Sequence, residues 1–276
     1  MAGHFCWHGA ARLFDGEAEV LPLASGGGVI AACPAGPALA QALARPGAGF
    51  RIGGTGELEA GAGEFETLTS GSSGAPRRIL RSMDSWLGSF AVNAGLFGIG
   101  PGVRVAVLGG LEQSLALYGA LEALHLGAEL HLLGGMRPDR QAAALAARRV
   151  EVLYATPAQL RLMVEAADFP ALRRVVVGGS KLDPGLRAAL GPAEVREFYG
   201  AAEASFITLS GPGTPEASVG APYPGVELEV RGGEVRVRSP YLFRRYAGED
   251  PGGALWCDGW LSVGERGRLE GGFLYL

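Results

Sequence analysis

The sequence predicts an α/β fold: a mostly parallel sheet flanked by helices, followed by a smaller β-rich subdomain. Three observations carry this. Between residues 67 and 204 short apolar runs alternate with helical patterns, the signature of strands joined by helical crossovers. The runs at 103–108 and 174–177 are nearly unbroken in apolar residues, as strands covered on both faces must be. After residue 205 the pattern changes: Pro212, Pro215, Pro222, Pro224 and Pro240 punctuate short strands such as 227–230 and 234–238, which read as antiparallel.

The elements follow in order. Residues 1–66, the N-terminal part of the large domain, are weakly patterned. Gly26-Gly27-Gly28, the segment from Pro34 to Pro37 and Gly53-Gly54 divide them, leaving a strand at 29–32 and a helix at 38–44. A strand at 66–68 opens the α/β subdomain of residues 67–204. Residues 84–98 form a helix with Trp86, Phe90 and Phe97 at apolar positions, and Pro101-Gly102 is a turn into the strand 103–108. Leu115, Tyr118, Leu121, Leu124 and His125 recur at helical steps over 114–126, and Gly127 stops that helix. A strand at 129–133 leads to a helix over 138–149 with proline in its first turn. A strand at 150–154 is followed by a helix over 156–167 that Thr156 is suited to cap. A strand at 174–177 ends in Gly178-Gly179, Asp183-Pro184 opens a short helix, and 195–199 is the next strand. Residues 205–276 form the β-rich subdomain.

Composition narrows the function classes. The chain has 276 residues, 48% hydrophobic and 19% charged, enough apolar material for a core and too much for disorder. Its net charge is −4, so no nucleic-acid partner is expected, which would need a basic face. Neither a secretory leader nor a membrane span is apparent. Cys6, Cys33 and Cys257 are far apart and in no CxxC pattern, which points to reduced thiols and a cytoplasmic location. His4, His8, His125 and His131 form no metal-ligand pair. Among 24 Lys and Arg residues only Lys181 is a lysine, so any chemistry that requires a lysine of this chain has one candidate. Glycine, at 46 residues, is far above the usual share.

In parallel sheets ligands sit at the carboxyl ends of strands. Gly109-Gly110, Gly178-Gly179-Ser180 and the segment from Tyr199 to Glu203 fall there. A further loop, Thr69-Ser70-Gly71-Ser72-Ser73-Gly74-Ala75-Pro76-Arg77, lies between a strand and a helix and ends in a cation. Its hydroxyls and backbone N–H groups suit it to wrapping an anion. It lacks the GxxxxGK[ST] spacing of a Walker loop, and no GxGxxG follows an early strand, which excludes a dinucleotide-binding oxidoreductase.

At these residues the sequence resembles the adenylate-forming superfamily of acyl-CoA and aryl-CoA ligases, nonribosomal-peptide adenylation domains and luciferases. The phosphate loop of that family reads TSG[ST][ST]GxPKG; here Arg77 and Arg78 replace its lysine and last glycine. Four more segments follow in family order. Gly178-Gly179-Ser180-Lys181-Leu182 resembles the adenine-side loop, and Tyr199-Gly200-Ala201-Ala202-Glu203 resembles YGxTE, with Ala202 for threonine. Ser218-Val219-Gly220-Ala221-Pro222-Tyr223-Pro224-Gly225 resembles SVGxPxPG. Asp258-Gly259-Trp260-Leu261-Ser262-Val263-Gly264-Glu265-Arg266-Gly267 resembles GW[FL]xTGDxG, with Glu265 for the ribose-binding aspartate.

The resemblance implies attack of a carboxylic acid on the α-phosphate of ATP, giving acyl-AMP and pyrophosphate, with coenzyme A as acceptor. It assigns Thr69, Ser70, Gly71, Ser72, Ser73, Gly74 and Arg77 to the phosphates and Glu203 to Mg²⁺. Gly178, Gly179, Ser180, Tyr199, Gly200 and Ala202 line the adenine side, and Glu265 meets the ribose. Glu203 and Arg77 are the catalytic candidates. An acyl pocket is expected among residues 108–117, Tyr154 and 178–202. No basic group there awaits a second carboxylate, so an apolar aliphatic or aryl acid is expected. In the family the strand at 272–276 precedes a hinge and a small C-terminal domain bearing the adenylation lysine, which Lys181 is not. A C-terminal domain acting in cis or trans is therefore an implied partner, and the chain alone is expected to have low activity. The alternative reading, a non-catalytic nucleotide- or acyl-binding module derived from such a ligase, rests on Arg77 and Ala202 replacing the family residues and on that domain's absence.

Overall fold

The computed structural model describes residues 3–69, 76–164, 168–248 and 252–276. Its centre is a nine-stranded sheet in the order Ala221–Pro222, Ser205–Leu209, Glu194–Ala201, Arg174–Val177, Val152–Ala155, Arg104–Val107, Glu129–Leu132, Arg12–Asp15, Ala18–Val20. The six strands from Glu194–Ala201 through Arg12–Asp15 are parallel. The outer ones are antiparallel.

The central strands show why they read as unbroken apolar runs. Val105, Val107, Val152, Tyr154 and Val176 point into one core. Ala106, Leu153, Ala155, Val175 and Val177, alternating with them, point into a second. A strand's side chains alternate faces, so a strand covered on both sides must be apolar throughout. The helices Asp84–Phe97 and Ser114–His125 bury residues in the first core, and the helices Pro138–Ala147, Pro157–Arg161 and Pro184–Ala189 in the second.

Most helix boundaries obey local chemistry. The helix Ser114–His125 ends with Gly127 at φ 86°, its N–H and that of Ala128 returning to the carbonyls of Leu124 and Ala123, a left-handed C-terminal stop. The helix Pro138–Ala147 ends the same way with Arg149 at φ 52°, the N–H groups of Arg149 and Val150 returning to Ala146 and Leu145. It therefore closes two residues before the expected position. The helix opened by Thr156 was expected to reach residue 167. It stops at Arg161, and the N–H groups of Met163 and Val164 both turn back to the Leu160 carbonyl. Phe169 and Leu172 then join the second core ahead of strand Arg174–Val177. Residues 165–167 lie outside the described residues.

A second sheet has the order Arg245–Tyr246, Arg78–Ser82, Glu64–Leu68, Phe50–Ile52, Gly28–Ile30. A four-stranded antiparallel sheet of Glu227–Arg231, Glu234–Arg238, Trp260–Ser262 and Leu255–Cys257, and a hairpin of Arg268–Glu270 with Phe273–Tyr275, complete the β-rich portion. The sheets are shared along the chain: Arg12–Asp15 and Ser205–Leu209 both join the large one, and Arg245–Tyr246 joins the second. No described helix is long and apolar enough to cross a membrane.

Strand order places the site. From Arg104–Val107 the chain crosses to Glu129–Leu132 on one side, then returns past its start to Val152–Ala155 on the other. The helices that follow Arg104–Val107 and Val152–Ala155, Ser114–His125 and Pro157–Arg161, lie over opposite cores. The loops leaving Arg104–Val107 and Val152–Ala155 therefore part in opposite directions and open a crevice at their carboxyl ends, where ligands of such sheets bind.

Candidate active site

A cavity of about 520 Å³ occupies this crevice. Glu112 and Gln113 follow the first of the two strands, and Thr156 and Gln159 follow the second. Thr156 and Gln159 are held by a capping box: the Thr156 N–H donates to Gln159 Oε1 at 2.9 Å, and the Gln159 N–H donates to Thr156 Oγ1 at 3.3 Å. The other wall is apolar, built from Trp86, Leu115, Tyr118, Phe198 and Phe206. Among the described lining residues Glu112 is the one charged side chain and none is basic. Of the residues expected around an acyl pocket, Glu112, Gln113, Ser114, Leu115, Gly178, Gly179, Phe198, Gly200, Ala201 and Ala202 line it. Leu108 and Leu111 are instead core. Tyr154, also expected there, points into the first core and donates to Glu122.

The two ends of the loop expected to wrap an anion meet at the lip of the cavity. Leu68, Thr69 and Pro76 reach it. Thr69 and Arg77 close the loop's neck: the Thr69 N–H donates to the Arg77 carbonyl and the Arg77 N–H donates to Thr69 Oγ1, both at 2.9 Å. Ser114 Oγ, 2.7 Å from Thr67 Oγ1, donates to the Leu68 carbonyl at 2.7 Å and ties the start of helix Ser114–His125 to the same strand. Ser70, Gly71, Ser72, Ser73 and Gly74 lie outside the described residues.

Gly178 is buried where a Cβ would stand 2.2 Å from the Phe198 ring, and Gly179, exposed, has φ 99°. Only glycine fits this close approach. Ser180 is exposed. Lys181 turns away, donating to the Ser218 carbonyl at 2.7 Å and lying 3.4 Å from Glu197. Strand Glu194–Ala201 is longer than expected, and its register shifts between Tyr199 and Gly200 where it turns back into Ser205–Leu209. A Cβ on Gly200 would stand 2.1 Å from the Ser205 carbonyl oxygen, so the bulge requires glycine. Phe198, Gly200, Ala201 and Ala202 line the cavity, while the Tyr199 ring packs against the first core. The Tyr199 hydroxyl is buried with no hydrogen-bond partner among the described residues. Burial and the nearby charge of Glu265, itself exposed, both push its pKa up.

Glu203 is half-buried. Its Oε1 accepts from the Tyr246 hydroxyl at 2.8 Å, and its carbonyl accepts from the Phe243 N–H at 2.7 Å. Behind it is a residue that the sequence reading passed over. Arg81 is fully buried and donates to the carbonyls of Ala202 and Tyr241 and, at 2.6 Å, to Ser205 Oγ. Ser205 Oγ also accepts from Trp86 Nε1 at 3.2 Å, so a buried cation supports the cavity floor from below. Burial pushes Arg81 down to about 9 against the opposing charge of Glu203, and it remains a cation at neutral pH.

A second buried network backs the apolar wall. Tyr118 Oη lies 2.7 Å from Ser89 Oγ and accepts from Asn93 Nδ2 at 3.0 Å. Asn93 also donates to Glu122 Oε1 at 2.8 Å and accepts from Tyr223 Oη at 2.7 Å. Glu122 is fully buried, and its pKa is pushed up to about 8 by burial, against the hydrogen bonds from Tyr154 and Asn93.

Comparison with known proteins agrees with this architecture. Residues 66–247 match the family described as AMP-binding enzyme. An uncharacterized acyl-CoA ligase of Bacillus subtilis, YhfT, is 31% identical over 230 residues, covering 76% of this chain and 47% of that protein. The amide bond synthetase McbA of Marinactinospora thermotolerans is 27% identical with a TM-score of 0.66, covering 81% of this chain and 50% of that one. O-succinylbenzoate coenzyme A synthetase of Bacillus subtilis, solved with AMP, shares the fold at a TM-score of 0.68 and 21% identity, over 81% of this chain and 52% of that one. The chain thus spans about half the length of these relatives. Its matched region runs from the strand before the anion loop to Tyr246 and the residue after it, and the chain belongs to the AMP-binding enzyme family, within the adenylate-forming superfamily.

Proposed function

We propose that this chain binds ATP and a carboxylic acid and supports formation of an acyl adenylate, with coenzyme A as the eventual acyl acceptor. The observation that carries the reading is the placement of one cavity at the crevice of the parallel sheet, with the anion loop's neck at its lip and Ala202 and Ser205, on either side of Glu203, in its wall. The apolar wall of Trp86, Leu115, Tyr118, Phe198 and Phe206 supports an aliphatic or aryl acid.

In this reading Thr69, Ser70, Gly71, Ser72, Ser73, Gly74 and Arg77 bind the phosphates. Gly178, Gly179, Ser180, Tyr199, Gly200 and Ala202 form the adenosine side, and Glu265 accepts from the ribose. The orphaned Tyr199 hydroxyl and the glycine cradle at 178–179 fit a nucleoside. Mg²⁺ is commonly bound through one or two carboxylates and substrate phosphates. The described residues contain no cluster of three or more metal-ligating side chains, and among them only Tyr246 donates to the Glu203 carboxylate, at Oε1. That set suits a cation shared with ATP and no resident protein-only site. Bound there, Mg²⁺ would neutralise charge on the triphosphate. This chain's own contribution is positioning: Arg77 lies at the phosphate end, Glu203 is held in place, and the apolar wall orients the acid and excludes water.

The test is acid-dependent exchange of labelled pyrophosphate into ATP across a panel of apolar, aryl and dicarboxylic acids. Exchange stimulated by an apolar or aryl acid is the expected result. Exchange with none, alone or with a separately supplied C-terminal half of a relative, would overturn the catalytic reading. A second reading, a nucleotide-binding module without catalysis, is favoured by the engagement of Lys181 with Ser218 and Glu197. It predicts nucleotide binding without exchange.

A further inference from the structure

Tyr246 stands 43 residues beyond Glu203 and belongs to none of the motifs of the nucleotide site, yet it joins two of the groups assigned there. Strand Arg245–Tyr246 pairs antiparallel with Arg78–Ser82, with Tyr246 opposite Ile79, and the Ala247 N–H donates to the Arg78 carbonyl at 2.9 Å. It is therefore fastened to the strand that leaves the anion loop. Its side chain is buried and locked. The Phe243 ring meets it edge-on at 5.1 Å, and the Gly252 backbone lies so close that a Cβ there would stand 1.7 Å from Cε2. The hydroxyl donates to Glu203 Oε1 at 2.8 Å, and the Arg77 guanidinium sits 5.8 Å from the ring centroid, within cation–π range. The same strap fixes the Glu203 backbone through the Phe243 N–H.

We propose that Tyr246 is a positioning residue for nucleotide binding: it holds Glu203 so that the remaining carboxylate oxygen faces the metal–triphosphate, and it couples that carboxylate to Arg77 of the phosphate loop. The inference rests on the nucleotide-site reading above. One hydrogen bond from a neutral phenol leaves the carboxylate its full charge. It also removes the rotamer freedom that a half-buried glutamate would otherwise lose on binding the cation. The locked ring supplies this order before ligand arrives.

The experiment is calorimetric titration of wild-type protein, Tyr246→Phe, Glu203→Gln and the double variant with Mg-ATP, and separately with AMP in the absence of metal. Tyr246→Phe keeps the ring, its packing and its contact with Arg77, and removes only the hydroxyl. Its Mg-ATP affinity is expected to fall about tenfold, the lower end for one hydrogen bond to a charged group. Metal-free AMP affinity should change less than twofold. In the Glu203→Gln background the substitution should add little, because the group it positions is gone. Equal losses for Mg-ATP and AMP would mark a merely structural role and overturn the proposal, as would unchanged Mg-ATP binding by Tyr246→Phe or additive effects in the double variant. A wild-type protein that binds neither ligand would remove the nucleotide-site reading itself, and this proposal with it. Matched urea midpoints for wild type and Tyr246→Phe establish that the variant is folded.

Discussion

Glu122→Gln exchanges one oxygen for an NH₂ group in the middle of the fold and should alter how stability depends on pH. Glu122 is fully buried, its partners among the described residues are neutral, and its pKa is pushed from an ordinary 4.5 up to about 8. The folded chain therefore keeps this proton in a range where the unfolded chain has lost it. Between pH 5 and 8 unfolding releases the proton, so stability contributed by this group falls as pH rises, by about 1.4 kcal/mol per pH unit. Over that window the loss is on the order of 4 kcal/mol, a large part of a typical folding free energy. Glutamine mimics the protonated acid: its carbonyl can accept from Asn93 as Oε1 does, and its NH₂ takes the place of Oε2 opposite the Tyr154 hydroxyl. Urea unfolding of both proteins at pH 5, 6, 7 and 8 isolates the effect. His131 titrates with the opposite sign, burial and Arg148 pushing it down to about 4, so stability from it is lost as pH falls below about 6.5. It acts equally in both proteins and cancels in the difference. The variant should match wild type near pH 5 and exceed it progressively toward pH 8. Parallel curves would show that Glu122 is ionised in the folded state and refute the reasoning.

Other expectations are as direct. Arg81→Met removes the donor of the Ala202 carbonyl and one of two donors of the Tyr241 carbonyl, which keeps Ser205 Oγ at 3.2 Å. The unpaired carbonyl costs about 1–3 kcal/mol, less the relief of unburying a cation. Urea titration is expected to show an unfolding free energy lowered by about 1–3 kcal/mol, and an unchanged midpoint would contradict it. Gly178→Ala drives the Phe198 ring into the cavity or against Phe206, whose centroid is 4.3 Å away. It should cost about 1–3 kcal/mol of stability, as overpacking does, and weaken thermal stabilisation by apolar acids. Glu265→Ala should weaken AMP binding about tenfold if the carboxylate accepts from the ribose. Unchanged affinity would place it in solvent.

The parallel sheet was legible because burial on both faces leaves a composition signal in each strand separately: Val105, Ala106 and Val107 need no partner to be recognised. Strand Arg12–Asp15 has no such signal. It carries two charges in four residues, and its place beside Glu129–Leu132 is decided by residues more than a hundred positions away. The same limit applied to the site. Gly178, Gly179 and Gly200 stood out because close approach leaves a glycine at a strand end. Arg81 did not, since an arginine in a strand reads as solvated until the three acceptors around it are seen. Tyr154, ending a strand, was expected at the pocket. Alternation along Val152–Ala155 instead sends it into the first core, behind the cavity's apolar wall, where it donates to Glu122, and Thr156 and Gln159, held by their capping box, line the cavity. Tyr246 carries no local mark at all, because its role is a contact across 43 residues.

The central claim is that this chain holds a nucleotide through the anion loop and Glu203. Calorimetric titration with ATP, with and without Mg²⁺, of wild type and Glu203→Gln tests it most directly. The account predicts saturable binding by wild type that strengthens with Mg²⁺, and a variant that stays folded, still binds AMP and has lost most of the metal-dependent gain. No heat from wild type with ATP or AMP at millimolar concentration, or the same gain from Mg²⁺ in both proteins, would contradict it.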